Sequence, residues 1–200
     1  MSGFLVSFFL VEGLTRLYIC DMTRAHQTTY NGLTAMQLWK KIPEGVRAEV
    51  INDVLYLSTS PTLYHQKVAM TLSSALHVHV SENSLGEVYA CPIDVYMDQN
   101  NAVVIPDINY VSSENLYKLD NKGIHGAPDL LIEIYSPSTG KRDRTVKKDL
   151  YERMGVKEYW IVHPITKKAE GYLLENSRYN APLELTSRVD VRILNKSFNF

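Results

Sequence analysis

Two hundred residues, 45% apolar and 22% charged, can bury a core, which excludes a disordered, solvating chain. A formal net charge of -1 excludes a uniformly basic nucleic-acid coat and leaves room only for a local basic patch. Cys20 and Cys91 form no CxxC pair, which excludes a zinc ribbon and a disulfide scaffold and suits a cytoplasmic compartment.

Residues 1–24 read as an apolar extension. Phe4 to Val11 is an apolar run that Glu12-Gly13 breaks, too short for a membrane span. It lacks the positive start and small-residue cleavage site of a secretory signal. The expectation is an added element, or translation from an upstream start with Met22 the natural one, dispensable for chemistry. No linker or repeat divides residues 25–200, which are expected to form one domain.

Thr34 is placed to cap a short helix, Ala35 to Lys41, which Pro43-Glu44-Gly45 ends. Arg47 to Ile51 and Val54 to Leu57 read as a hairpin turning at Asn52-Asp53, with Glu49 in its first strand. Ser60-Pro61-Thr62 opens a helix reaching about Val80, whose apolar stripe is Ala69, Leu72, Leu76 and Val80. His65 lies one turn before Ala69, near the buried side. Gly86 to Tyr96 reads as a strand, paired with Ala102 to Ile105 as a hairpin. Asp94 within it is a decoy or an auxiliary ligand. Ser112 to Lys122 reads as a helical turn and a loop.

Leu130 to Ile134 is apolar except for Glu133, the pattern of a central strand covered on both faces. Parity places Asp129, Leu131, Glu133 and Tyr135 on one face. A carboxylate in such a strand is costly unless a metal or a lysine pairs with it. Lys141 to Met154 reads as a helix with Val146, Leu150 and Met154 inward and Asp143, Lys147 and Tyr151 on the adjacent stripe. Gly155 stops it, and Lys157 to Val162 is the next strand. A strand, a helix and a strand in that order suggest a parallel crossover. Strands follow at Ala169 to Leu174 and Leu183 to Thr186, and a short edge strand alternates through Val189, Val191 and Ile193.

Phosphodiester hydrolysis needs an activated water, a Lewis acid and relief of developing charge. Magnesium, or manganese in its place, takes oxygen ligands, commonly one or two carboxylates and waters. Asp107 and Glu133 stand far enough apart in sequence for adjacent strands to bring their carboxylates together, with the Ile134 carbonyl as a third oxygen. Lys147 could steady charge on the oxyanion; beside two carboxylates its charged form is favoured over a general base. Against this stands the bland alternative, a solvated Asp143–Lys147 pair on a helix face.

The run Ala127-Pro128-Asp129-Leu130-Leu131-Ile132-Glu133-Ile134-Tyr135-Ser136-Pro137-Ser138-Thr139, then Asp143, Lys147, Tyr151, Gly155-Val156 and Glu158-Tyr159-Trp160-Ile161-Val162, resembles the Uma2 family, also called DUF820. That family belongs to the PD-(D/E)xK nuclease superfamily, and the resemblance covers about residues 31 to 175. It implies an α/β (α+β) fold, a restriction-endonuclease-like mixed β-sheet flanked by helices. It implies a metal-dependent endonuclease acting on DNA, with Mg2+ or Mn2+ held by Asp107, Glu133, Ile134 and Glu49. Asp107 in Pro106-Asp107 matches the metal-binding acid, and Asp129 is then structural. Glu49 and His65 match residues that assist the site. Tyr135 stands where the superfamily lysine is usual, and the lysine has moved to the helix as Lys147, near Tyr151. The chain departs from the family pattern at Asn52-Asp53, for Asp-Gly, and at His163, for Asp. A homodimer suits cleavage of both strands of a duplex. The alternative is a catalytically silent nuclease-fold binding or regulatory module. The cluster Lys141-Arg142, Arg144 and Lys147-Lys148 would be the basic patch that separates the two.

Overall fold

The computed structural model describes residues 32–200, so the extension expected at residues 1–24 lies outside the described part. The chain first forms helix α1 (Ala35–Trp39) and the hairpin of β1 (Ala48–Ile51) and β2 (Val54–Leu57). Thr34 caps α1: its hydroxyl accepts from the Gln37 amide, and the Gln37 side chain accepts from the Thr34 amide. The Asn52-Asp53 turn holds both residues at positive φ, 52° and 57°, which Asn and Asp tolerate better than other non-glycine residues. Asp53 has a second use here, since its carboxylate accepts from the Ala35 amide at the start of α1.

Helix α2 (Leu63–Glu82) buries His65, Val68, Leu72, Leu76 and Val80. Strands β3 (Gly86–Ala90), β4 (Val95–Met97), β5 (Ala102–Val104) and β6 (Ile108–Ser112) follow. The single strand expected over Gly86 to Tyr96 is thus two strands, and they lie in different sheets. Pro92 has no N–H to continue a ladder, and the chain changes sheet there. The expected pairing of β4 with β5 is present. The Ser112 to Lys122 stretch holds its helical turn but also β7 (Leu119–Asp120), which pairs with β8 (Gly123–His125).

Strand β9 (Leu130–Ile134) is buried along its whole length. Helix α3 spans residues 140–154 in three parts: Gly140–Arg142, a π-helical turn Asp143–Lys147, and Lys148–Met154. Gly155 ends it in the left-handed conformation at φ 82°. Strands β10 (Glu158–Val162), β11 (Lys168–Glu175), β12 (Arg178–Tyr179), β13 (Leu183–Thr186), β14 (Arg188–Val191) and β15 (Lys196–Asn199) complete the chain. Ile193, expected to extend the edge strand, lies in a 3-10 turn after β14.

Two sheets carry the architecture. One runs β2-β1-β5-β4-β8-β7 and the other β12-β11-β10-β9-β6-β3, with β13 on β11. In the second sheet β9 and β10 are parallel, joined by α3, and the other pairs are antiparallel. It is a mixed sheet flanked by helices, as expected. Leu130, Ile132 and Ile134 face the apolar stripe of α2. Leu131 belongs to the other apolar cluster, with Leu150 and Tyr151 of α3 and Ile51 and Val104 of the first sheet. Each fully buried leucine contributes about 1.5–3 kcal/mol, so both faces of β9 add to stability. On α3 the inward order differs from expectation. Leu150 is fully buried but Val146 and Met154 only partly; Asp143, Lys147 and Tyr151 are buried instead. The polar stripe can turn inward because β1 and β9 meet it with carboxylates.

Candidate active site

The chain passes between the two sheets several times, and two of the short crossings are Cys91–Asp94 and Ile105–Asp107. In the latter, Ile105-Pro106-Asp107 lies between β5 and β6, beside the end of β9. Here four carboxylates converge: Glu49 from β1, Asp107 from the crossing, Glu133 from β9 and Asp143 from α3. Three of them, Glu49, Glu133 and Asp143, surround Lys147, whose side chain is 3% exposed. Its Nζ lies 2.7 Å from Glu49 Oε1, 2.8 Å from Glu133 Oε1 and 3.9 Å from Asp143 Oδ1. The solvated-pair alternative for Asp143 and Lys147 is overturned by this burial.

The remaining contacts fix each carboxylate. Arg142 donates to Glu49 Oε2 at 2.8 Å and its guanidinium lies over the Tyr56 ring. The Ile105 amide donates to Glu49 Oε1. Tyr151 donates to Glu133 Oε1 at 2.8 Å. Asp107 Oδ2 accepts from the Ile134 amide at 2.8 Å and lies 3.1 Å from His65 Nε2. Thr139 donates to Asp143 Oδ2. All six side chains proposed from sequence, Glu49, His65, Asp107, Glu133, Lys147 and Tyr151, therefore come together, with Ile134 between Asp107 and Glu133.

Electrostatics separates their roles. Burial pushes the Glu133 carboxyl up to about 8; Lys147 opposes this, and the charges of Asp143, Asp107 and Glu49 add to it. Burial also raises Asp143, against Lys147. Burial acts the same way on Glu49, but Lys147 and Arg142 outweigh it and hold that carboxyl below its ordinary value. Burial would lower Lys147, yet Glu133, Glu49 and Asp143 raise it, so the amine stays charged. The Tyr151 hydroxyl is pushed well up by burial and by Glu133, and it remains a donor.

A cavity of about 150 Å³ opens on Glu49, His65, Asp107, Glu133, Ile134 and Lys147. Its lip carries hydroxyls from Ser58, Ser60 and Thr62 on one side and Ser136, Ser138 and Thr139 on the other. Among the described residues, no three His, Cys, Asp or Glu side chains form a ready metal cage. A magnesium ion does not need one, since two carboxylates, a carbonyl and waters suffice. The donor set is all hard oxygen. Among the described residues the four carboxyl groups are bonded by Lys147 and Arg142, with His65 on Asp107, and a divalent ion would take the place of the proton that burial and neighbouring acids keep on Glu133. The residues fit the ion.

Other acids are accounted for elsewhere. Asp129, at the far end of β9, binds Lys157 at 2.7 Å and accepts from the Ser112 amide and Asn115, a structural set. Asp94 accepts from Tyr96 and lines a different cavity. Tyr135 turns away, stacked on His163 at 4.6 Å and beneath Arg144. His163 Nδ1 accepts from the Ile165 and Thr166 amides, the turn-capping contact that an aspartate makes at such a position. The basic cluster expected on α3 is not a free patch. Lys147 is buried, Arg142 binds Glu49, and Arg144 grips Glu170 with its nearest contact at 2.6 Å.

Two basic residues of the cavity lie outside the site expected from sequence. Arg142 falls in the basic cluster of α3, and nothing local distinguishes it. Arg47 precedes Glu49 by two, on the same side of an extended chain, and that spacing was the available signal.

A solved structure with the same architecture is described as "a putative nuclease belonging to DUF820 from Anabaena variabilis ATCC 29413". It aligns with a TM-score of 0.67 at 18% identity over 82% of this chain and 91% of that one, which shows a shared fold. No curated protein matches the chain in sequence. The Uma2 family model, described as "Putative restriction endonuclease", matches residues 33–198, and the chain belongs to that family.

Proposed function

We propose that this chain is a divalent-metal-dependent endonuclease that hydrolyses phosphodiester bonds of DNA. The observation that carries the reading is the buried excess of carboxylates around Lys147. Asp107, Glu133 and the Ile134 carbonyl would hold Mg2+ or Mn2+. When bound, the ion supplies Lewis acidity and a water of lowered pKa.

The chain's own residues orient that centre. The Ile134 amide and His65 both engage Oδ2 of Asp107, a residue that lines the cavity. Tyr151 and Lys147 share one Glu133 oxygen in the same way. Lys147 stays protonated, so it steadies negative charge growing on the phosphoryl oxygens instead of taking a proton from water. Glu49 has its oxygens engaged by Arg142, Lys147 and the Ile105 amide, so it acts by holding Lys147 in place. No helix among the described residues is long and apolar enough to cross a membrane. A cytoplasmic homodimer acting on duplex DNA completes the proposal, and sedimentation of the purified chain tests the dimer.

The test is cleavage of supercoiled plasmid and single-stranded DNA with Mg2+ or Mn2+, wild type beside Glu133→Ala and Lys147→Ala. Cleavage by wild type, lost in both folded variants, is expected. Equal cleavage in all three would assign the activity to a contaminant. One observation favours a second reading, a silent binding module: internal ion pairs take up most of the basic cluster on α3. Oligonucleotide binding without cleavage under any divalent ion would select it.

A further inference from the structure

A second cavity, of about 610 Å³, opens beside the first and shares two lining residues with it, Arg47 and Ile105. It lies between three connections: the α1–β1 loop, the Cys91–Asp94 crossing and the β7–β8 turn. Its size is that of a small-molecule site, within the range of about 300–1,000 Å³. Pro43, Pro92 and Ile93 give it apolar walls, while the acids Glu44, Asp94 and Asp120 and the lysines Lys40 and Lys122 supply charged groups. The first cavity alone is too small for more than an ion, waters and a phosphoryl group.

Arg47 stands on the divide. Besides His65, one lysine and two arginines line the first cavity, and Lys147 and Arg142 are tied to carboxylates. Arg47 forms no ion pair among the described residues; its guanidinium meets only the Cys91 sulfur. A guanidinium with no ion pair among the described residues, on the edge of a carboxylate-lined cavity, offers local attraction to an incoming phosphate. The planar fork of an arginine matches two phosphate oxygens.

We propose that Arg47 anchors a phosphate next to the one cleaved, and that the second cavity seats the nucleoside flanking it. One strand of nucleic acid then runs from the carboxylate cavity across Arg47 into the second cavity. Ile93, Pro43 and Pro92 pack against the base and sugar, and Asp94 and Lys122 meet polar edges. The inference rests on the reading that the substrate is a polynucleotide, but not on hydrolysis itself.

Binding tests it directly. A fluorescein-labelled single-stranded oligonucleotide is titrated with the full chain in Ca2+, over a series of salt concentrations, and read by anisotropy. Arg47→Ala is expected to raise Kd roughly ten- to a hundredfold. It should also flatten the slope of log Kd against log salt by about 0.7, one phosphate's share for a single strand. Arg47→Lys should keep the slope and recover part of the affinity, which covers the case that the alanine variant does not fold. Ile93→Trp, which fills the second cavity, should weaken binding with the slope unchanged. Unchanged Kd and slope in both Arg47 variants would overturn the proposal, as would a wild type that binds no oligonucleotide. The same oligonucleotide in Mg2+ separates the two readings. Binding that needs Arg47 but brings no cleavage ends the nuclease reading and leaves this one. Cleavage with Arg47-independent binding does the reverse.

Discussion

Glu133 makes the metal-free protein sensitive to pH. Its carboxyl titrates near 8 in the folded chain against 4.5 when unperturbed. Between those values the folded state holds a proton that the unfolded state has released, so stability falls as pH rises through the window. The melting temperature of EDTA-treated protein is expected to drop from about pH 4.5 to about pH 8, and Glu133→Gln to flatten that drop. Added Mg2+ should raise the melting temperature more at pH 8 than at pH 6, because the ion takes the proton's place. Glu49 behaves oppositely: its lowered pKa gives stability present above 4.5 and lost as pH falls through the folded value. Lys147 joins the two acids. Lys147→Met leaves Glu49 and Glu133 buried without it, at a cost of about 3–5 kcal/mol in urea unfolding. Adding Glu133→Gln to that variant should recover part of the loss, and a non-additive double-mutant cycle would show it.

At the scale of elements, α2 is held to the second sheet by its apolar stripe. Leu76 is fully buried there, so Leu76→Ala should cost about 2–5 kcal/mol by denaturant melting. Gly171 faces Trp160 across β11 and β10, and a Cβ there would lie 2.5 Å from the indole ring. Gly171→Val should therefore lower the melting temperature and shift the tryptophan emission, while an exposed change such as Lys168→Ala should do neither. The same elements show what the sequence made legible. The α2 stripe, the buried β9 and the β9–α3–β10 crossover follow from periodicity and a run apolar but for Glu133, and all are present, with Val68 buried where Ala69 is only partly so. The site was legible at Glu133, where a carboxylate inside an apolar strand demands a partner, and through the family resemblance at the rest. The sheet change at Pro92 was hidden because the flanking residues suit strands on either side. The pairing of Arg142 and Arg144 was hidden because their partners, Glu49 and Glu170, arrive from distant elements. No local pattern can report that.

Across the whole molecule, the two sheets meet at the site, and each contributes an acid that Lys147 bridges. Every proposed site residue lies within residues 32–200. Removing residues 1–21 is expected to leave plasmid cleavage unchanged; its loss would give that segment a part in the fold or the chemistry. Two backbone amides sit on the seam itself. Ile105 N–H donates to Glu49 at 3.0 Å and Ile134 N–H to Asp107 at 2.8 Å. Neither is held by a sheet ladder, so their deuterium uptake follows the survival of two side-chain acceptors. The protein thus carries a pair of internal clocks for its own site, slow while the carboxylates stay in place and fast once either swings away, with no substrate required.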